Sequence, residues 1–149
     1  MRHKLPTGDV QMVKPGLSPF ITGIAHVGIR VHDLDRARAF YELLEFKFLV
    51  GPVGPEPVAI LEHPSGVEIN LILNATNDSD TNILMDISEK HAGYTHVALA
   101  ISDVKATQAS LEAAGITITE GPITFPGGAK AIFVRDPDHN VIEFNQAAR

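Results

Sequence analysis

The stretch HVGIRVHDL, His26 to Leu34, decides how this chain is read, because HVALAISDV, His96 to Val104, repeats it seventy residues later. Each copy alternates apolar residues as a half-buried strand does, and each opens with a histidine. Each also ends in Asp followed by a branched apolar residue. An aspartate there serves as a helix N-cap, its carboxylate accepting the free amides of the first turn.

Working outward, ITGIAHVGIRV reads as a strand that places Ile24, His26 and Gly28 on one face. Leu34, Ala37, Phe40, Tyr41 and Leu44 then recur at helical spacing after Asp33. FKFLVG, PVAILEH and VEINLIL read as three further strands, joined by the Gly/Pro-rich GPVGPEP and by the turn HPSG. In the second copy GYTHVALAIS is a strand and Asp103 caps a helix striped by Val104, Thr107, Leu111 and Ala114. Gly115 supplies the left-handed stop. ITITEG, AKAIFVRD and VIEFNQ follow as strands, with DPDHN as a turn. Aligned without gaps from His26 and His96, Asp33 falls on Asp103, Glu42 on Glu112 and Phe46 on Ile116. The order strand, helix, strand, strand, strand occurs twice, which predicts an α+β fold of two βαβββ modules. Module 1 spans about residues 21–74 and module 2 about 93–149, with a polar, turn-rich linker at about 75–92. Neither module is large enough to bury a core alone, so the two form one domain. Residues 1–20 carry Pro6, Pro15 and Pro19 with little periodicity and read as an irregular arm.

Composition bounds the function. The chain has 149 residues with a formal net charge of −6, which argues against a nucleic-acid surface. No apolar run is long enough to span a membrane, and the N-terminus lacks the apolar core of a secretory signal. A cytoplasmic protein is the expectation. Cysteine is absent, so any metal must be held by nitrogen and oxygen.

The last strand of each module carries a second notable residue. In module 2 it is Glu143, whose neighbours Ile142 and Phe144 are apolar; a carboxylate there needs a partner or water. Counting from the preceding turn, the module 1 equivalent is Asn70, with Glu68 two residues earlier on the same face. If a pseudo-twofold axis relates the modules, His26, Asn70 or Glu68, His96 and Glu143 are brought together. Two imidazoles and a carboxylate form a facial set that leaves positions open on a divalent metal. His32, His63, His91 and His139 fall in turns or helix starts, where solvated histidine is ordinary; the linker could fold His91 over the site. Phe125 and Phe133 fit either a pocket wall or, as the favoured role, the core, and FPGGAKA fits a hairpin or lid rather than a phosphate loop.

HVGIRVHDLDRARAFYELL, THVALAISDV and RDPDHNVIEF resemble the vicinal oxygen chelate superfamily over Ile21 to about Gln146. That group includes glyoxalase I, extradiol dioxygenases, fosfomycin-resistance thiol transferases and bleomycin-resistance proteins. The resemblance implies two curved mixed sheets pairing into a metal-binding cup, in which vicinal oxygens of a small-molecule substrate chelate one divalent ion. It implies His26, His96 and Glu143 as ligands, with Glu143, Asn70 and Glu68 as the catalytic set. Asn70 falls where glyoxalase I has a fourth, glutamate ligand; if Glu68 reaches the metal instead, the four-ligand lyase pattern recovers. Iron would suit a dioxygenase; nickel, zinc, cobalt or manganese would suit a lyase, isomerase or thiol transferase. A homodimer is expected, with no membrane or nucleic-acid partner. The alternative is a metal-free drug- or metabolite-binding protein of the bleomycin-resistance type. The superfamily usually has glycine where Glu45 and His139 stand, and a left-handed non-glycine residue costs about 1 kcal/mol.

Overall fold

A computed structural model describes residues 16–78 and 80–149. Most of the expected arm, residues 1–15, lies outside the described residues. Module 1 runs β1 (Val27–Arg30), α1 (Leu34–Leu43), β2 (Lys47–Val53), β3 (Val58–Glu62) and β4 (Glu68–Ile72). Module 2 runs β5 (His96–Ala100), α2 (Val104–Ala113), β6 (Ile118–Thr124), β7 (Lys130–Arg135) and β8 (Val141–Gln146). Each module is a four-stranded mixed sheet, ordered β1-β4-β3-β2 and β5-β8-β7-β6, with the first and last strands parallel.

The caps form as the sequence requires. Asp33 accepts the Arg36 amide at 2.7 Å and Asp103 accepts the Ala106 amide at 3.0 Å. After the helices, Glu45 (φ 68°) and Gly115 (φ 75°) take matching left-handed positions, and His139 (φ 64°) takes another in the last turn. Both non-glycine exceptions anticipated from the sequence are therefore real.

Strand parity divides each sheet into two faces. Ile29, Leu61, Ile69 and Leu71 of module 1 join Ile132, Val134, Ile142 and Phe144 of module 2, with Tyr41, Val104 and Leu111 of the helices, in one buried cluster. The opposite parity carries His26, Gly28, Glu68 and Asn70, and in module 2 His96, Ala98 and Glu143.

Two strands start later than their sequences suggest. β1 was expected from Ile21 and begins at Val27; β5 was expected from Gly93 and begins at His96. The reason is pairing. Val27 lies opposite Ile69 at the start of β4, and His96 lies opposite Val141 at the start of β8. Residues further upstream have no ladder to join, so apolar character alone cannot make them strand. Ile24 and Tyr94 stand 87% and 98% exposed as a result.

Between β4 and β5 the described residues form no helix or strand, but the linker is tied to module 2. Asp86 takes a bidentate pair of bonds from Arg135 (2.8 and 2.9 Å), and Asn82 donates to the His139 carbonyl at 3.0 Å. The modules themselves are joined through the turn Asp136-Pro137-Asp138. Tyr41 Oη donates to Asp136 at 2.9 Å, while Arg36 and His32 converge on Asp138.

Candidate metal centre

In module 1, His26 stands one residue before β1, and its Nδ1 lies 3.7 Å from Glu68 Oε2 at the start of β4. In module 2, His96 opens β5, and its Nε2 lies 3.7 Å from Glu143 Oε2 on β8. Two nitrogen–oxygen pairs thus recur in the two repeats, but not through strictly equivalent carboxylates. Register makes this plain: Gly28 faces Asn70 as Ala98 faces Glu143. Asn70 is therefore the topological partner of Glu143, as spacing suggested, while Glu68 is the residue that approaches His26. Asn70 Oδ1 is buried with no hydrogen-bond partner among the described residues.

The environments differ as well. Glu143 is buried at 7% exposure, whereas the Glu68 side chain is 30% exposed. Thr95 Oγ1 sits 2.8 Å from His96 Nδ1, which holds the ring and leaves Nε2 for the carboxylate side. His26 follows Ala25 and lacks such a neighbour. Phe133 lies opposite Glu143 in the β7–β8 ladder, and its ring centroid is 6.4 Å from that of His96. Of the two roles the sequence leaves open for Phe133, the favoured core role is corrected to the other: it is half-buried beside the His96 ring. Phe125 is 36% exposed in the β6–β7 hairpin, not core, and Gly127 and Gly128 make that hairpin's turn with φ of 97° and 101°. His91 lies 3.5 Å from Glu89 and is exposed. His32 is not simply solvated: its bond to Asp138 chiefly, and that to the Asn77 carbonyl, raise its pKa above 6.5.

Beside His96, Thr95 is not singled out by the sequence at all, and Phe133 only as one of two aromatic residues that fit a pocket wall. The cross-strand register would have revealed Phe133; nothing local marks Thr95.

Within one chain the four expected positions do not converge. Among the described residues, no three His, Asp or Glu side chains gather as a metal set. The cause is topological: β1 and β5 are outer strands of separate sheets, so each module presents two donors and an unpaired edge. The pairs nevertheless suit a divalent cation. Nitrogen and oxygen ligands at about 2.1 Å and tetrahedral or octahedral angles lie about 3.0–3.4 Å apart, so closure by a few tenths of an ångström would suffice.

The profile of the Glyoxalase/Bleomycin resistance protein/Dioxygenase superfamily matches residues 23–144, from just before His26 to just past Glu143. The chain belongs to that superfamily. Among similar proteins of the superfamily is a lactoylglutathione lyase of Haemophilus influenzae, 33% identical over 129 residues, covering 81% of this chain and 90% of that protein. A probable lactoylglutathione lyase of Vibrio cholerae is 31% identical over 136 residues, covering 83% of this chain and 89% of that protein. The crystal structure of a glyoxalase family protein from Enterococcus faecalis aligns with a TM-score of 0.69 at 24% identity, over 85% of this chain and 98% of that one. The two-module glyoxalase/dioxygenase fold is thereby shown. No helix among the described residues is long and apolar enough to cross a membrane.

Proposed function

We propose that the chain is a metal-dependent lyase or isomerase of the glyoxalase type, acting as a homodimer on a small molecule with vicinal oxygens. The observation that carries this reading is the pair of histidine–carboxylate half-sites, each at 3.7 Å, at the unpaired edges of two matching sheets. The similarity to lactoylglutathione lyases over most of both chains supports it. In the proposed dimer, His26 and Glu68 of one protomer face His96 and Glu143 of its partner. The exposed Phe20, Ile21, Ile24 and Tyr94 beside these edges are the apolar surface that a second copy would cover.

His26, His96 and Glu143 hold the ion, which when bound supplies Lewis-acid polarisation of the substrate oxygens. Glu68, the more exposed carboxylate, is the base: it takes the proton from the hydroxyl-bearing carbon and returns it to the neighbouring carbonyl carbon, while the hydroxyl proton passes to the neighbouring oxygen, so that both protons are conserved. Asn70 Oδ1 is positioned to accept from a substrate hydroxyl, and Phe133 and Thr95 keep the His96 ring in place.

The test is elemental analysis of protein purified without chelator, with sedimentation and a lactoylglutathione lyase assay, on the parent and on H26A, E68A, N70A, H96A and E143A. About one metal per chain, lost with His26, His96 or Glu143, and an activity lost with Glu68 at retained metal, is the expected result. Iron together with oxygen uptake on catechols would move the reading to a dioxygenase. No metal after anaerobic reconstitution would make the chain a binding protein of the bleomycin-resistance type.

A further inference from the structure

The pseudo-twofold that duplicates the modules also duplicates the junction between them, and the two copies are filled differently. The turns correspond closely. His63 donates its amide to Val67 O and accepts from Gly66 N, as Asp136 donates to Asn140 O and accepts from His139 N. His63 and Ser65 are therefore the twins of Asp136 and Asp138. By the helix alignment, His32, Arg36, Phe40 and Tyr41 are the twins of Ser102, Ala106, Ser110 and Leu111.

At the first junction the helix side supplies the rings of Phe40 and Tyr41 and the side chains of Arg36 and His32, of which Tyr41, Arg36 and His32 bond to the aspartates. At the second junction every helix-side twin is smaller, although on the turn side His63 is larger than its twin Asp136. Ser110 replaces a phenyl ring, Ala106 a guanidinium and Ser102 an imidazole. A cleft of about 660 Å³ remains there. That volume lies within the range of small-molecule sites.

Its chemistry is specific. Leu44, Phe46, Val67, Leu99, Leu111 and Phe144 make an apolar floor. Leu99, Phe144 and Val67 have the opposite strand parity to His96, Glu143 and Glu68, so the cleft is on the other face of the sheets from the candidate metal centre. The charged side chains at its rim are Glu45 and Asp103, and neither is paired with a cation among the described residues. Asp103 uses one oxygen to cap α2, leaving the other available. His63 Nδ1 accepts the Ser65 amide at 3.0 Å, which in the neutral ring places the proton on Nε2. What the helix side of this junction lacks, compared with its filled twin, is an aromatic ring and, beside it, a positive charge.

We propose that this cleft is a second binding site, for a small aromatic amine. The ring takes the space of the missing Phe40 and Tyr41 equivalents, and the ammonium replaces the missing Arg36 equivalent and faces Glu45 and Asp103. The assignment does not depend on the metal reading, because it uses none of its residues.

The test is an amide NMR titration of the full chain with 2-phenylethylamine, compared with 2-phenylethanol and phenylacetate. Saturable shifts at Ser65, Ser102, Ala106 and Ser110, with none at Ala98 or Glu143, are expected, with the amine binding more tightly than the alcohol and the alcohol more tightly than the acid. Ser110→Phe restores the twin ring and should abolish binding in a protein whose spectrum stays dispersed. Glu45→Gln, an exposed change, should weaken the amine severalfold and leave the alcohol unaffected. Equal binding of acid and amine, shifts centred on Glu143, or undiminished binding by folded Ser110→Phe would overturn the proposal. So would a change of sedimentation mass in Ser110→Phe, which would assign the cleft to contact between copies.

Discussion

Replacing Tyr41 by Phe removes one oxygen from the junction that holds the modules together. The ring remains useful: it packs edge-on against Phe40 at 5.1 Å and Phe46 at 6.0 Å between centroids, contacts that do not involve the hydroxyl. What disappears is the 2.9 Å bond to Asp136. Bonds to charged groups contribute about 1.5–3 kcal/mol. Asp136 keeps three other donors, the Asn140 side chain and the amides of Asn140 and Asp138, each at 2.9 Å, so the lower end applies. About 1.5 kcal/mol should lower Tm by roughly 3–6 °C for a chain of this size.

A pH signature distinguishes this from a packing defect. Burial raises the Asp136 pKa above its ordinary 3.8, while the bond from Tyr41 is among those holding it down. A carboxyl with a raised folded pKa binds its proton more tightly folded than unfolded. Its contribution is complete below pH 3.8 and is lost as pH rises through the folded value. Without the hydroxyl that value moves further up, so the deficit of Tyr41→Phe should be largest at neutral pH and shrink toward acid. Urea unfolding of Tyr41→Phe, Asp136→Asn and the double variant measures it. A deficit under about 0.5 kcal/mol at neutral pH, or one unchanged in the Asp136→Asn background, would refute the reasoning.

His32 has a pKa raised above 6.5, chiefly by its bond to Asp138, so the stability it adds is fully present below pH 6.5 and fades as pH rises through the folded value. Thermal melts of the parent against His32→Gln should converge on the alkaline side. Asp33→Ala and Asp103→Ala each remove a side-chain cap, and each should cost about 1 kcal/mol in urea unfolding. Gly121 has φ 94°, and a Cβ there would stand 2.6 Å from the Ala131 carbonyl oxygen. Gly121→Ala should therefore destabilise by about 2 kcal/mol or more, while Gly115→Ala, whose Cβ meets nothing within 4 Å, pays only the left-handed backbone cost of about 1 kcal/mol.

The local features of the fold were readable because they are carried by local residues. Asp33 and Asp103 cap whatever helix follows them, and Glu45 and His139 take left-handed positions because a helix end and a tight turn demand them. The repeat itself gave the two sheets. Strand starts were not readable, since β1 and β5 begin where β4 and β8 provide a partner and not where the apolar run begins. Nor was the junction readable: Tyr41 and Asp136 are 95 residues apart, and nothing near either names the other. The site was partly legible. Periodicity placed Glu68 and Asn70 on one face, but which of them approaches His26 depends on side-chain reach. Parity counted along one strand also could not say that Phe133 stands opposite Glu143.

The division of donors between two sheets has a consequence of mass action. Among the described residues, a single chain brings a histidine and a glutamate together at each of two places and gathers three such side chains at neither. If two copies complete each other, every site in the population is assembled by an encounter, and two sites appear or vanish together. Ion affinity and dimer affinity then become one linked equilibrium: each bound ion tightens the pair, and dilution releases ions as it separates chains.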